Sequence, residues 1–212
     1  NGRVIFDDYR EAYSWIKHNT PENAKILSWW DYGYQIAGMG QRTTIVDNNT
    51  RNNTQIATAG LMLASPESRA IEVMKQYDID YVLVVFGGRI GYNSDDINKF
   101  MWILRIASGT FSELVEGSFF TADGQYRIDD SAPPAFHNSM MYKMCYYKAR
   151  EGGMTTDRVR NQQVGNFDIK FDRLEEAFTT QHWMIRIYRV KKAINYPGYE
   201  EQLSIAEELN KV

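Results

Sequence analysis

Residues 28-SWWDYGYQI-36 set two adjacent tryptophans, an aspartate, a tyrosine and a glycine in one short stretch. An indole offers a single N–H donor, and an ionised carboxylate only accepts. A hydroxyl has one proton to give and two lone pairs to fill, so Trp29 and Trp30 as donors and Asp31 as acceptor match an alcohol. Successive residues of a strand point to opposite faces, so both rings converge only where the backbone leaves regular structure, which Asp31 and Gly33 would permit. The same residues also fit a plainer arrangement, in which the tryptophans are core residues and Asp31 caps a following helix.

Other chemistry is sparse. His18, His137 and His182 are scattered, and no His, Cys or Asp spacing resembles a metal site. The loop 87-GGRIG-91 lies between an apolar run and a helical pattern, as a phosphate-binding turn would. It lacks both the dinucleotide spacing and the Lys-Ser/Thr of a P-loop, and Asp95 and Asp96 at the helix start would repel phosphate. A plain loop is the better reading. Cys145 is the single cysteine, so no internal disulfide forms, and its apolar surroundings make it a buried thiol.

The elements that must position the motif follow from periodicity. Residues 6–18 have helical spacing, 24–30 form a strand running into the motif, and 43–47 form another. Helices are expected over 55–63 and 67–77, separated by Ser65-Pro66. The run 80-DYVLVVF-86 is β-branched and nearly all apolar, which predicts a central strand, and 95–106 predicts a helix. Loops with short turns are expected over 108–139, strands over 140–148 and 182–190, and a short helix over 172–180. In the last strand Arg186 and Arg189 mark the polar face. The fold class is therefore α+β (mixed α/β): a single domain over 1–194 with a small central sheet packed by helices, and an amphipathic helical tail over 195–212.

With 24 Lys and Arg against 27 Asp and Glu, the net charge of −3 gives no basic field for a phosphate backbone, which argues against nucleic acid. The apolar run at 82–86 is far shorter than the roughly 20 residues of a membrane-spanning helix. The opening NGRVIFDD has neither an initiator methionine nor a signal sequence, so a domain cut from a longer protein is expected.

WWDYG at 29–33, together with 46-VDNNTRNNTQI-56, 85-VFGG-88, 95-DDINKF-100 and 182-HWMIRIY-188, resembles the catalytic subunits of eukaryotic oligosaccharyltransferases over nearly the whole chain. The resemblance implies the C-terminal lumenal domain of an enzyme at the endoplasmic reticulum membrane. Such enzymes transfer an oligosaccharide from dolichol pyrophosphate to the asparagine of Asn-x-Ser/Thr. It implies that Trp29, Trp30 and Asp31, supported by Tyr32 and Gly33, bind the hydroxyl of the acceptor Ser or Thr. A second family motif, D-x-x-K-x-x-x-M/I, is matched by Asp96, Lys99 and Ile103. Helical spacing puts these on one face, where Asp96 and Lys99 can pair and Ile103 can offer an apolar contact. A surface ion pair above a core isoleucine would fit the spacing equally.

The resemblance further implies other oligosaccharyltransferase subunits as partners, and Mg2+ or Mn2+ held mostly by residues outside this chain. No catalytic residue is expected here, and the isolated chain is expected to be inactive. Two sequons begin at Asn48 and Asn52, where similar proteins carry a glycan, usually on the second; Arg51 stands where they commonly have Trp. Two other functions stay open on the residues alone: a non-catalytic Ser/Thr peptide-binding module, and a carbohydrate-binding domain with exposed aromatic platforms.

Overall fold

In a computed structural model, which describes residues 2–45 and 53–192, the chain opens with helix α1 (Gly2–Asn19). Its Ala12, Tyr13 and Ile16 recur at helical spacing and are buried. Strand β1 (Lys25–Leu27) follows and is cut short by a 3-10 turn over Trp30–Tyr32, which leads directly into α2 (Gly33–Met39). Then come β2 (Thr43–Thr44), α3 (Asn53–Ala64), α4 (Glu67–Gln76), β3 (Tyr81–Val85) and α5 (Asp96–Ser108). Turns fill most of 109–133, with one 3-10 segment at Glu116–Phe119. The short α6 (Pro134–His137) and α7 (Met140–Tyr146) precede a small hairpin of β4 (Thr156–Asp157) and β5 (Gln162–Gln163). The antiparallel pair β6 (Leu174–Thr179) and β7 (Ile185–Val190) completes the described chain. The sequons at Asn48 and Asn52 and the 195–212 tail lie outside the described residues.

The main sheet runs β2-β1-β3-β7-β6, with β1 parallel to both β2 and β3 and β7 antiparallel to β3. All five residues of β3 are buried, because the sheet is covered on both faces. On one face, Trp15 of α1 stacks on Phe178 at 5.3 Å and meets Tyr81 edge-on at 6.1 Å. On the other, the Tyr188 hydroxyl donates to the Met144 carbonyl of α7 at 2.5 Å. Helices α3 and α5 pack closely at Gly60, where an added Cβ would stand 2.9 Å from the Ala107 Cβ.

Two element types differ from expectation. Residues 140–148 are the helix α7 rather than a strand: Ser139 caps it by accepting from the Tyr142 N–H, and six of its seven residues are buried. Burial on nearly every side removes the polar stripe that would betray a helix, so the run reads as a strand. Residues 172–180 contain β6 rather than a helix. Leu174-Glu-Glu-Ala favours a helix locally, but pairing with β7 prevails, with Glu175 beside Arg189 and Glu176 beside Arg186. Arg186 was expected on a polar face and is fully buried. Its Nη1 donates to the carbonyls of Met144, Cys145 and Tyr147, which closes the C-terminal end of α7.

The glycine loop is structural. The Gly87 N–H is already given to Asp95 Oδ2 at 2.8 Å, and an added Cβ at Gly87 would lie 1.7 Å from the Tyr92 carbonyl oxygen. Asp95 also caps α5 through the Asn98 N–H and takes both Nη groups of Arg160, at 2.8 and 2.7 Å. Arg160 Nε in turn donates to Asp157.

Candidate functional site

The end of β1 decides where the motif goes. Ser28 and Trp29 continue the buried run, and the Tyr32 N–H closes the turn on the Trp29 carbonyl at 3.2 Å. Trp29 is 3% exposed and lies in the core, so it offers no flat platform to a sugar. Tyr32 is the residue before α2 and is also buried; Gly33 opens that helix without a positive φ. Asp31, between them, does not cap α2. It is carried to the surface with 34% of its side chain exposed.

Helix α5 brings the second group. Lys99 Nζ stands 2.9 Å from Asp31 Oδ2 and donates to the Tyr32 hydroxyl at 2.9 Å, with its charge 4.8 Å from the centre of the Tyr32 ring. The ion pair of Lys99 is thus with Asp31, 68 positions earlier in the sequence, and not with Asp96 as the helical spacing suggested. Asp96 lies beneath, fully buried. Its Oδ2 accepts the Val85 N–H at 2.8 Å, while its Oδ1 has no hydrogen-bond partner of good geometry. Burial pushes the Asp96 carboxyl up to about 7, against the opposing pull of the Val85 N–H, the Lys99 charge and the Tyr32 hydroxyl. Tyr32 is driven far above the ordinary phenol range, by burial first and then by Asp96.

Ile103 is completely enclosed, its Cγ2 3.4 Å from where a Cβ on Gly60 would sit. Its hydrocarbon belongs to the α3–α5 contact and presents no surface to a ligand in this arrangement. The structure therefore brings Asp31, Tyr32, Asp96 and Lys99 together, with Trp29 behind them and Ile103 apart. Trp30 opens the turn. Sequence reasoning missed Tyr9 and Tyr92. The Tyr9 ring lies 6.3 Å from that of Tyr32, Tyr9 and Tyr92 share a hydrogen bond, and both tyrosines 9 and 32 are held up by the Asp96 charge. Tyr9 fitted the apolar stripe of α1, and nothing in its spacing signalled a polar neighbour.

The histidines stay apart: His182 pairs with Asp8 at 2.7 Å, His137 bonds the Asp129 carbonyl and His18 the Ser14 carbonyl. Among the described residues no group of three or more His, Cys, Asp or Glu is placed to hold a metal ion. The Mg2+ or Mn2+ implied by the family resemblance thus finds no donor set among them. No helix among the described residues is long and apolar enough to cross a membrane.

The fold matches the crystal structure of the C-terminal globular domain of an oligosaccharyltransferase from Archaeoglobus fulgidus, with a TM-score of 0.52 at 19% identity, covering 87% of this chain and 97% of that one. A second Archaeoglobus fulgidus oligosaccharyltransferase, tethered with an acceptor peptide containing the NVT sequon via a disulfide bond, matches at a TM-score of 0.50 and 13% identity over 92% of this chain and 25% of that one. The architecture is therefore that of an oligosaccharyltransferase C-terminal globular domain.

Residues 22–112, which contain both the Asp31 turn and α5, match the family model described as the STT3/PglB/AglB core domain. The chain is 56% identical over 202 residues to the dolichyl-diphosphooligosaccharide–protein glycosyltransferase subunit STT3B of Oryza sativa, covering 92% of this chain and 28% of that protein. It is 50% identical over 194 residues to subunit STT3 of Saccharomyces cerevisiae, covering 89% of this chain and 27% of that protein. The chain belongs to the STT3 family, and it spans little more than a quarter of the length of these relatives.

Proposed function

We propose that this chain is the acceptor-recognition domain of an oligosaccharyltransferase. In this reading Asp31 binds the hydroxyl of the acceptor Ser or Thr and so places the asparagine of Asn-x-Ser/Thr for attack on a dolichol-pyrophosphate-linked oligosaccharide. The observation that carries the reading is the half-exposed Asp31 carboxylate, held at the mouth of a buried polar cluster by Lys99. Among the described residues only Asp31 Oδ2 is engaged, by Lys99, which leaves Oδ1 to accept the hydroxyl proton. Lys99 has three N–H donors and gives two, to Asp31 and Tyr32, so the third can fill a lone pair on the same hydroxyl. The pocket thus satisfies a hydroxyl as both donor and acceptor, with Lys99 in the donor role that the sequence assigned to the two indoles. The Archaeoglobus fulgidus relative tethered with an NVT peptide supports an acceptor peptide as the ligand.

Lipid-linked donor, divalent metal and further subunits would be engaged by the rest of a full-length transferase at the endoplasmic reticulum membrane, with this domain on the lumenal side. What this chain does is position: it fixes one end of the sequon and thereby the reach of the asparagine. In the full-length protein Asp31→Ala should reduce kcat/KM for an Asn-x-Thr peptide at least tenfold, and up to about a hundredfold, the loss of a charge-assisted hydrogen bond worth roughly 1.5–3 kcal/mol. Thermal stability should change little, since the pair with Lys99 is partly exposed. A melting temperature that falls in step with activity would mark Asp31 as structural and overturn the reading.

A further inference from the structure

The deepest part of the site is the least explained by hydroxyl binding. Asp96 is completely buried, one of its oxygens has no well-formed partner, and it touches the exposed carboxylate only through intermediaries. Tyr32 accepts from Lys99, so its own proton must go to another acceptor, and its hydroxyl is near enough to Asp96 to favour the ionised carboxylate. The bond directions are therefore set: Lys99 donates to Tyr32, and Tyr32 donates to Asp96. Were Asp96 protonated, it would become a donor towards Tyr32 and compete with Lys99 for the same phenolic oxygen.

We propose that Tyr32 and Asp96 are positioning residues that hold the Lys99 ammonium against Asp31 only while Asp96 is ionised, so that protonation of Asp96 disorganises the pocket and weakens acceptor binding. This rests on the reading of Asp31 as the hydroxyl acceptor and adds its regulation by pH.

The surroundings make such a response reasonable. The groups facing Asp96 are Lys99 and Asp95 on α5, Tyr32 from the turn, Tyr9 and Tyr13 on α1, and the Cys145 thiol on α7. Tyr92 stands behind Tyr9. Asp95, whose charge disfavours ionisation of Asp96, is itself neutralised by the bidentate Arg160, and the tyrosines and the thiol stay protonated because burial raises all of them. Asp96 is thus the member of the cluster that titrates near neutrality, at about 7. Lys99 lies one turn along the same helix, so no backbone motion is needed to transmit the change.

The test is the pH dependence of KM for an Asn-x-Thr peptide in the full-length protein, compared with Tyr32→Phe and Asp96→Asn. In the unsubstituted protein KM should rise several-fold as pH falls from 8 to 6. Tyr32→Phe keeps the ring and removes only the hydroxyl. It should raise KM at pH 8 by about tenfold, much more than it lowers kcat, and the pH dependence of KM should flatten; Asp96→Asn should also be flat. An unchanged KM profile in Tyr32→Phe overturns the inference. A merely structural Tyr32 would lower melting temperature and kcat without flattening that profile. Because either variant could fold poorly, a second measurement uses the unsubstituted chain: NMR titration of the Asp96 carboxyl and the Lys99 Nζ. Both resonances should shift with one common midpoint, and independent midpoints would refute the strut. Loss of the KM effect in Asp31→Ala as well would instead refute the acceptor reading itself.

Discussion

Replacing Asp96 by asparagine isolates what it costs to bury this carboxylate. The Asp96 carboxyl moves from its ordinary 3.8 to about 7 in the folded chain. Because the folded value is raised, the group contributes full stability below pH 4 and loses it progressively as pH rises through 7. At about 1.4 kcal/mol per unit of pKa, the whole span is roughly 4 kcal/mol, and about 3 kcal/mol of it falls between pH 5 and pH 8. Asparagine keeps the shape and can still accept the Val85 N–H, yet has no charge to lose. Urea unfolding of the chain at pH 5, 6, 7 and 8 should therefore show Asp96→Asn gaining on the unsubstituted protein by about 3 kcal/mol across that range, levelling off above pH 8. A difference between the two proteins that does not vary with pH would refute the reasoning, because it would mean that Asp96 titrates alike folded and unfolded. The cost fits the proposed role: a carboxylate kept ionised in the interior at the expense of stability is one retained for what it orients.

Ile103→Ala should destabilise the domain by about 2–5 kcal/mol, as an enclosed isoleucine at the α3–α5 contact, and leave the ratio of transfer to Thr and Ser acceptors unchanged; a narrowed ratio in peptide assays would show that the acceptor methyl reaches it after all. Arg186→Ala should cost about 3–5 kcal/mol in chemical denaturation, since it strips three carbonyls at the end of α7 of their donor and leaves Glu176 without its cation; a loss below 1 kcal/mol would mean that water replaces the guanidinium. Of the two sequons, the one at Asn52 should carry the glycan, so Asn52→Gln should remove one glycan mass from protein made in a secretory pathway, and unchanged mass would refute that assignment.

Local patterning alone determined much of this protein. The apolar 80–86 run became β3, the 95–106 pattern became α5 with Asp95 as its cap, and the helices at 6–18, 55–63 and 67–77 formed with only their ends displaced. These segments each have one face or one environment, so periodicity reports it faithfully. The WWDYG and D-x-x-K spacings also named the residues that meet at the site, apart from Ile103.

Tertiary structure decided the rest. Whether 140–148 and 172–180 became helix or strand depended on neighbours: α7 is buried on nearly all sides and loses its stripe, and β6 is drawn into the sheet by β7 against its own preference. Arg186 looked like a surface cation and is a buried cap, because its partners are carbonyls some 40 positions away. The pairing within the site was hidden for the same reason. Spacing on α5 put Lys99 beside Asp96, but only the packing of that helix against the turn after β1 brings Lys99 onto Asp31, exposes one carboxylate and buries the other. A sequence specifies which groups a helix face carries; how much water each retains, and hence its charge, is set by what the fold lays over it.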